Sequence, residues 1–123
     1  MSALFTALGA LFGFLSVAAG AFGAHALQRR LPHDLLTVFE TGARYQMYHA
    51  LALVLVGLLA ARAPSAALHA AGWLFVAGVA LFSGSLYALA LSGVRVLGAV
   101  TPVGGLCFLA GWALLAWAAW SAR

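Results

Sequence analysis

Four long apolar stretches, separated by short polar breaks, constrain this sequence more than any other feature. They cover residues 3–27, 45–61, 66–91 and 101–120. A helix of about 20 apolar residues crosses the hydrocarbon core of a bilayer. Hydrophobic residues make up 66% of the chain and charged residues 7%, whereas soluble domains are about half apolar and a quarter charged. These values exclude a soluble domain, a disordered tail and a disulfide-stapled module. They predict a single integral membrane domain over residues 1–123.

The apolar stretches are predicted to be helices, because no segment alternates apolar and polar residues as a membrane β-strand does. Helix is the other way to satisfy the backbone in lipid. We therefore expect an all-α membrane protein with four transmembrane helices in an antiparallel bundle. Residues 31–44 have a helical pattern of their own, with Pro32 and Asp34 suited to a first turn. They predict a short amphipathic connector helix between helices 1 and 2, which can run directly into the second span.

The few charges indicate an orientation. Four arginines fall at the end of the bundle that carries the 1–2 and 3–4 connections, and two fall at the opposite end: Arg29, Arg30, Arg44 and Arg95 against Arg62 and Arg123. The positive-inside rule places the first group in the cytoplasm, which here means the inner face of a bacterial inner membrane. The arginines form no clustered patch of the kind that binds nucleic acid. The expected partner is therefore the lipid bilayer and not a nucleic acid.

Small and aromatic residues suggest how the helices pack. Gly9 and Gly13 form a GxxxG pair in the first span, and the chain has 14 glycines in all. Small residues let helices approach closely in lipid, so we expect a tight bundle with surfaces that would also suit a homo-oligomer or a membrane-protein partner. Trp112, Trp117 and Trp120 lie toward the end of the fourth span and are expected to be interfacial anchors.

Polar side chains within the spans are the candidate functional residues, since an unpaired polar group is costly in a membrane. The set forms one candidate binding cluster: His25, Glu40, Arg44, Tyr45, Tyr48, His49, Ser83, Ser85 and Thr101. If His25 met His49 across antiparallel spans, the two imidazoles could hold a metal or haem iron, or relay protons. The other interpretation is that these groups bond one another and hold the helices together.

No catalytic pattern is found in the sequence. It has no HExxH, CxxC, Walker glycine loop or GxSxG motif. Its two carboxylates, Asp34 and Glu40, are six positions apart on a predicted helix and so face different sides. We therefore predict a protein that is not an enzyme, with no catalytic residue, no bound metal and no cofactor.

Five motifs carry a resemblance to a known family. They are GAFGAHAL at 20–27, ETG at 40–42, YQMYHALAL at 45–53, SGSLY at 83–87 and TPVGG at 101–105. In this order, and over nearly the whole chain, they resemble the YwdK/YgdD-like small membrane proteins, which form domain-of-unknown-function family 423. The resemblance implies a four-helix membrane protein and no established activity.

Three functional hypotheses follow. The first is a non-enzymatic membrane scaffold or accessory subunit, because the chain combines glycine-rich packing surfaces with no catalytic pattern. The second is a small oligomeric transporter or channel for protons, ions or a small solute, in which Glu40 and His49 would serve. The third is a metal- or haem-binding membrane subunit that uses His25 and His49.

Overall fold

The computed structural model describes residues 1–122, so Arg123, counted above for the second end of the bundle, lies outside the described residues. Four helices follow one another along the chain: α1 at Ser2–Leu27, α2 at His33–Arg62, α3 at Ala66–Ser92 and α4 at Thr101–Ser121. Each is long and apolar enough to cross a membrane, α4 together with the 3-10 turn at Arg95–Ala99 that precedes it. The described range contains no strand. The prediction of an all-α protein with four membrane-spanning helices is confirmed.

Helix α2 includes the predicted connector. It begins at His33, directly after Pro32, and continues without a break to Arg62. Pro32 has an extended ψ of 155° and its ring nitrogen has no hydrogen to leave unpaired, which suits a helix start. Leu35 and Phe39 are buried and form the inward face of these first turns. The connector is therefore the start of α2 and not a separate short helix.

Local sequence explains the ends of α3. Ser65 caps its start, because the Ser65 hydroxyl accepts a hydrogen bond from the backbone N–H of Leu68 at 3.2 Å. The helix stops at Ser92 because Gly93 adopts a left-handed conformation, with φ of 74°. Glycine is the residue that takes this conformation without steric cost.

Helices α2 and α3 form the centre of the bundle, and α1 and α4 lie outside them. Helix α1 packs mainly on α2, and α4 packs mainly on α3. The α1–α2 pair is antiparallel: Gly9 lies against Ala50, whereas Gly23, further along α1, lies against Phe39, further back along α2. Both connections that carry Arg29, Arg30 and Arg95 therefore lie at one end of the bundle.

The core is made of large side chains set against glycines. Phe5 of α1 is fully buried and its ring lies over Gly72 of α3, where an added Cβ would be 2.5 Å from the ring. Phe75 of α3 fills the space at Gly111 of α4 in the same way, at 2.7 Å. Lipid tails are as apolar as these side chains, so close van der Waals packing is what favours the folded arrangement.

The glycines that permit the closest approaches are used inside the chain. A Cβ at Gly9 would be 2.7 Å from the carbonyl oxygen of Ala50, and a Cβ at Gly104 would be 2.8 Å from the Cα of Phe82. Gly13, the second member of the GxxxG pair, is looser, with its nearest neighbour at 3.9 Å. The tight bundle expected from the glycines is present, and these glycine faces are directed at other helices of the same chain.

Candidate functional site

Two consecutive carbonyl groups of α2 accept hydrogen bonds from serine hydroxyl groups of the helices on either side. Ser83 of α3 donates to the carbonyl of Gly42 at 2.7 Å, and Ser16 of α1 donates to the carbonyl of Ala43 at 2.6 Å. Each serine lies beside or within a π-helical turn, at 18–23 in α1 and 79–83 in α3. A π turn rotates the residues around it relative to an ideal helix. Both turns thus help to aim a serine at the same level of α2.

Gln46 joins three helices. Its side-chain amide group donates to the carbonyl of Phe12 in α1 at 2.9 Å, and its side-chain oxygen accepts the phenol of Tyr87 in α3 at 2.7 Å. Gln46 is buried. Neither Gln46 nor Tyr87 was in the predicted cluster. The available sequence signal was an amide in the middle of an apolar helix, a residue type that needs partners there.

His49 is bonded through both ring nitrogens. Nδ1 lies 2.7 Å from the carbonyl oxygen of Tyr45, and Nε2 lies 3.0 Å from the indole nitrogen of Trp112. A carbonyl only accepts and an indole N–H only donates, so Nδ1 carries the proton and Nε2 accepts. The imidazole is neutral in this arrangement. It also stacks on Phe108, with ring centroids 3.5 Å apart and planes inclined by 6°.

The predicted meeting of His25 and His49 does not occur. Gln46, one turn before His49, bonds to Phe12 of α1, and His25 lies about 20 Å further along α1 at 1.5 Å per residue. His25 is exposed, and His49 is buried with both nitrogens engaged. Residues 1–122 contain no group of three or more His, Cys, Asp or Glu side chains able to hold a metal ion.

Trp112 differs from its predicted role as an interfacial anchor. It lies near the middle of α4, and its indole N–H donates to His49. Trp117 and Trp120 lie nearer the end of α4, and both are 62% exposed. The anchor interpretation therefore suits the last two tryptophans and not the first.

Ser85 and Thr101 connect α3 to the first turn of α4. Their hydroxyl oxygens are 2.6 Å apart, and Ser85 also donates to the carbonyl of Phe82 at 2.9 Å. Because the single proton of Ser85 is used for that carbonyl, the Thr101 hydroxyl is the donor between the two. No buried side-chain nitrogen or oxygen in the described part of the chain lacks a hydrogen-bond partner. Of the polar side chains described so far, these make hydrogen bonds that join helices: Ser16, Gln46, His49, Ser83, Ser85, Tyr87, Thr101 and Trp112.

Glu40 and Arg44 do not pair with each other, although they are one turn apart on α2. Within residues 1–122 the ion pair that forms is Asp34 with Arg95, at 2.9 Å. Glu40 is half-buried and Arg44 is exposed. They line a small groove between α1 and α2 of about 280 Å³, which we call the polar notch: Ser16, Gly20, Glu40, Ala43, Arg44 and Met47.

The Asp34–Arg95 pair ties the start of α2 to the connection before α4, at the end of the bundle outside the apolar stretches. The Arg95 guanidinium donates a hydrogen bond to the Asp34 carboxylate. Both side chains are more than half exposed. Solvent screens such pairs strongly, so this contact orients the connection more than it stabilises the fold.

Tyr45 and Tyr48 lie on the other side of α2, beside a larger space between α2 and α4. This space has a volume of about 750 Å³. We call it the aromatic cleft, and it is lined by Tyr45, Tyr48, His49, Phe82, Pro102, Gly105, Leu106, Phe108, Leu109 and Trp112. The rings of the two tyrosines contact each other, with centroids 5.5 Å apart.

The nine predicted residues thus fall into separate places. His49 binds within the bundle, Ser83, Ser85 and Thr101 bond between helices, and His25 is exposed at one end. Glu40 and Arg44 line the polar notch, and Tyr45 and Tyr48 line the aromatic cleft. The predicted single cluster is therefore two surface sites on opposite sides of α2 and a set of internal contacts.

Comparison with known proteins gives a consistent group of relatives. A family model described as "Protein of unknown function (DUF423)" matches residues 19–105. A UPF0382 membrane protein of Staphylococcus haemolyticus is 50% identical over 91% of this chain and 91% of its own length. The UPF0382 membrane protein YwdK of Bacillus subtilis is 45% identical over 94% of this chain and 95% of its own length. No solved structure matches the chain.

Proposed function

Because the chain belongs to the DUF423 family of proteins of unknown function, we propose its role from its own residues: a non-enzymatic scaffold or accessory subunit that docks onto another membrane protein through the polar notch. The single observation that carries this proposal is that the Glu40 carboxylate has no partner within the described part of the chain. This carboxylate is half-buried in a membrane-spanning helix and has no hydrogen bond or ion pair among the described residues. At this level, one turn before the interfacial Arg44, an unpaired carboxylate is available to a donor from outside the chain.

The shape of the polar notch suits a side chain from outside. Gly20 has no side chain to fill the notch, and an added Cβ there would make ordinary van der Waals contact with Ala43, at 3.7 Å. The π turn at 18–23 lies over the same place, and Met47 supplies a flexible apolar wall. A basic or hydroxyl-bearing side chain of a partner helix would enter this space and donate to Glu40.

The transporter hypothesis finds less support. Glu40 and His49 are two and a half turns apart on α2 and so point to opposite sides of the helix, at 3.6 residues per turn. Glu40 faces the α1–α2 groove, and His49 faces Phe108 and Trp112. Two groups on opposite sides of one helix do not line a shared path. The metal- and haem-binding hypothesis requires His25 and His49 to lie together, and they are far apart along α1 and α2.

The proposed location is the bacterial inner membrane, with the 1–2 and 3–4 connections in the cytoplasm. Arg29, Arg30 and Arg95 lie at that end of the bundle, and Arg44 lies about three turns into α2, at the end of its polar part. Arg62 lies at the opposite end. The positive-inside rule supports this orientation, and the relatives from Staphylococcus haemolyticus and Bacillus subtilis are named membrane proteins. Docking at the polar notch would then occur at the cytoplasmic side of the bilayer.

Photocrosslinking in native membranes tests the docking proposal. A photoreactive residue replaces Met47, inside the polar notch, or Phe14, which is exposed on α1 outside the notch. We expect a discrete adduct with a second membrane protein from position 47 and not from position 14. The variant Glu40→Ala should remove that adduct while leaving the thermal unfolding of the purified protein unchanged.

Three results would contradict the proposal. One is an unchanged adduct in Glu40→Ala, which would show that the carboxylate takes no part in the contact. Another is the absence of any protein adduct at position 47. The third is an adduct of twice the mass of the chain, which would identify the partner as a second copy and the protein as a homo-oligomer.

A further inference from the structure

The aromatic cleft opens sideways toward the lipid and not toward water. Two of its lining residues, Leu106 and Leu109, are 66% and 68% exposed on a membrane-spanning helix. Two of its polar members, His49 and Trp112, bond to each other. The cleft therefore presents ring faces and aliphatic groups, a surface that suits a hydrocarbon chain.

Polar donors border the same cleft at one end. The hydroxyl groups of Tyr45 and Tyr48 have no hydrogen-bond partner among residues 1–122, and the two rings lie side by side. Arg44 precedes Tyr45 and lies one turn from Tyr48, is exposed, and has no ion-pair partner in the same range. Arg44 lines the polar notch, and because it stands four positions before Tyr48, it lies on the strip of the α2 surface between the notch and the cleft. Two phenols and one cation are thus neighbours on α2 beside an apolar cleft.

The depth of these donors matches a lipid headgroup. Arg44 is the last charged residue before the apolar stretch at 45–61, and that stretch continues to Arg62 at the other end of α2. With the apolar stretch in the hydrocarbon core, the Arg44 guanidinium lies at the interface, as arginines at helix ends do. Helix α4 runs inward from Pro102 to Trp112 along the cleft, which is about 15 Å at 1.5 Å per residue.

We infer that the aromatic cleft is a binding site for an anionic phospholipid, with one acyl chain in the cleft and the phosphate held by Arg44, Tyr45 and Tyr48. Charge complementarity favours this occupant, because the exposed Arg44 lies one turn before Tyr48 on α2, and a guanidinium binds phosphate through parallel hydrogen bonds. Basic sites between membrane helices on the cytoplasmic side are known to bind anionic headgroups.

The size of the cleft suits a single hydrocarbon chain. The cleft offers about 750 Å³, which is within the range of small-molecule sites. A single chain enters such a space without moving α2 from α4.

Native mass spectrometry of the full chain, reconstituted with phosphatidylglycerol or with phosphatidylcholine, tests the inference. Wild-type protein is expected to retain one phosphatidylglycerol in preference to phosphatidylcholine. Arg44→Gln should lower that preference about five-fold, as expected for one interfacial arginine, and Arg44→Lys should keep most of it. Arg30→Gln is the matched control, since Arg30 is exposed at the same end of the bundle but away from the cleft.

A second variant tests the chain-binding part. Gly105 lines the cleft, and a Cβ there has its nearest neighbour at 3.9 Å, so Gly105→Leu should fill the cleft and release both lipids. If this variant fails to fold, quenching by brominated phosphatidylglycerol replaces it. Trp112 fluorescence, read in a chain whose other tryptophans are phenylalanine, should be quenched at lower mole fractions than with brominated phosphatidylcholine.

Several outcomes would overturn the inference. Equal retention of the two lipids by wild type would remove the headgroup preference. An equal loss of preference in Arg30→Gln and Arg44→Gln would show that the preference comes from the general surface charge and not from a site at Arg44. Unchanged retention in a folded Gly105→Leu variant, equal quenching by the two brominated lipids, or a dimer in place of a lipid adduct would each show that no lipid chain is held in the cleft.

Discussion

Trp112 of α4 donates its indole N–H to Nε2 of His49 of α2 at 3.0 Å, and this bond joins the outer helix to the centre of the bundle. The same imidazole donates from Nδ1 to its own helix and stacks on Phe108. One side chain thereby fixes the distance and the rotation of α4 relative to α2. The aromatic cleft owes its shape to that bond, because Trp112 forms its deep end.

Loss of this bond should destabilise the bundle without unfolding it. We predict that Trp112→Phe lowers the free energy of unfolding by about 1 kcal/mol, because interhelical hydrogen bonds in membranes contribute about 0.6 kcal/mol on average and up to about 1.7 kcal/mol. The phenylalanine keeps an aromatic ring against Phe75, which Trp112 contacts, and removes the donor to His49. Equilibrium unfolding in mixed micelles measures the change.

Trp117→Phe is the matched control, since Trp117 is 62% exposed near the end of α4. Surface substitutions usually change the free energy of unfolding by less than about 0.5 kcal/mol. Equal effects of the two substitutions would show that the His49 contact contributes nothing specific.

The fold was predictable because a membrane leaves few choices. The lengths of the apolar stretches and the breaks at Arg62–Ser65 and around Gly93 are enough to divide the chain into four helices. The family resemblance is also confirmed by the comparisons. The continuity of α2 from His33 to Arg62 was harder to predict. Its amphipathic start and its apolar remainder have different sequence patterns, and the burial of Phe39 shows that the start packs against the bundle as part of the same helix.

The site was less predictable, because residues on one sequence stretch point in different directions. Glu40 and His49 were predicted to belong to one candidate cluster, yet the helix directs Glu40 to the α1–α2 groove and His49 to α4. The predicted approach of His25 to His49 assumed a register that antiparallel order alone does not fix. That register depends on the packing of Gly9 against Ala50, and the sequence does not show which residues of α1 and α2 face each other.

The Gln46–Tyr87 pair offers a test of the internal polar contacts by a double-mutant cycle. We predict that Tyr87→Phe lowers the free energy of unfolding by about 1 kcal/mol, because it leaves the side-chain oxygen of Gln46 without its donor. Gln46→Leu should cost at least as much, since it also removes the bond to Phe12. The double variant should cost less than the sum of the two, since the shared bond is lost only once. Additive losses in the unfolding assay would show that the two side chains do not interact.

Two adjacent glycines of α4 should respond in opposite ways to the same substitution. Gly104→Ala places a Cβ against the backbone of Phe82, with the Cα at 2.8 Å, and a backbone cannot move aside as a side-chain tip can. We predict a loss of more than about 2 kcal/mol, in the range for overpacking. Gly105→Ala meets its nearest atom at 3.9 Å and should change stability little, or increase it through the helix propensity of alanine.

Thermal unfolding of the purified variants compares the two glycines directly. The comparison is well matched, because residue type, helix and substitution are the same and the space around the Cβ differs. A stable Gly104→Ala variant would mean that α3 and α4 can separate at this level, and the close approach would then not be needed for the fold.

The orientation of the chain can be tested with single cysteines, because Cys107 is the one natural cysteine. In a Cys107→Ala background, Gln28→Cys places a thiol in the exposed 1–2 connection and Ala63→Cys places one in the exposed 2–3 connection. We predict that a membrane-impermeant maleimide labels position 63 in intact cells and labels position 28 only after the membrane is opened, because the arginine-rich end is retained in the cytoplasm. Replacing Arg29 and Arg30 with glutamine should make part of the population label at position 28 from outside, since it removes two of the charges that set the orientation. Labelling of position 28 in intact wild-type cells would reverse the proposed orientation and would move both the polar notch and the mouth of the aromatic cleft to the outer side of the membrane.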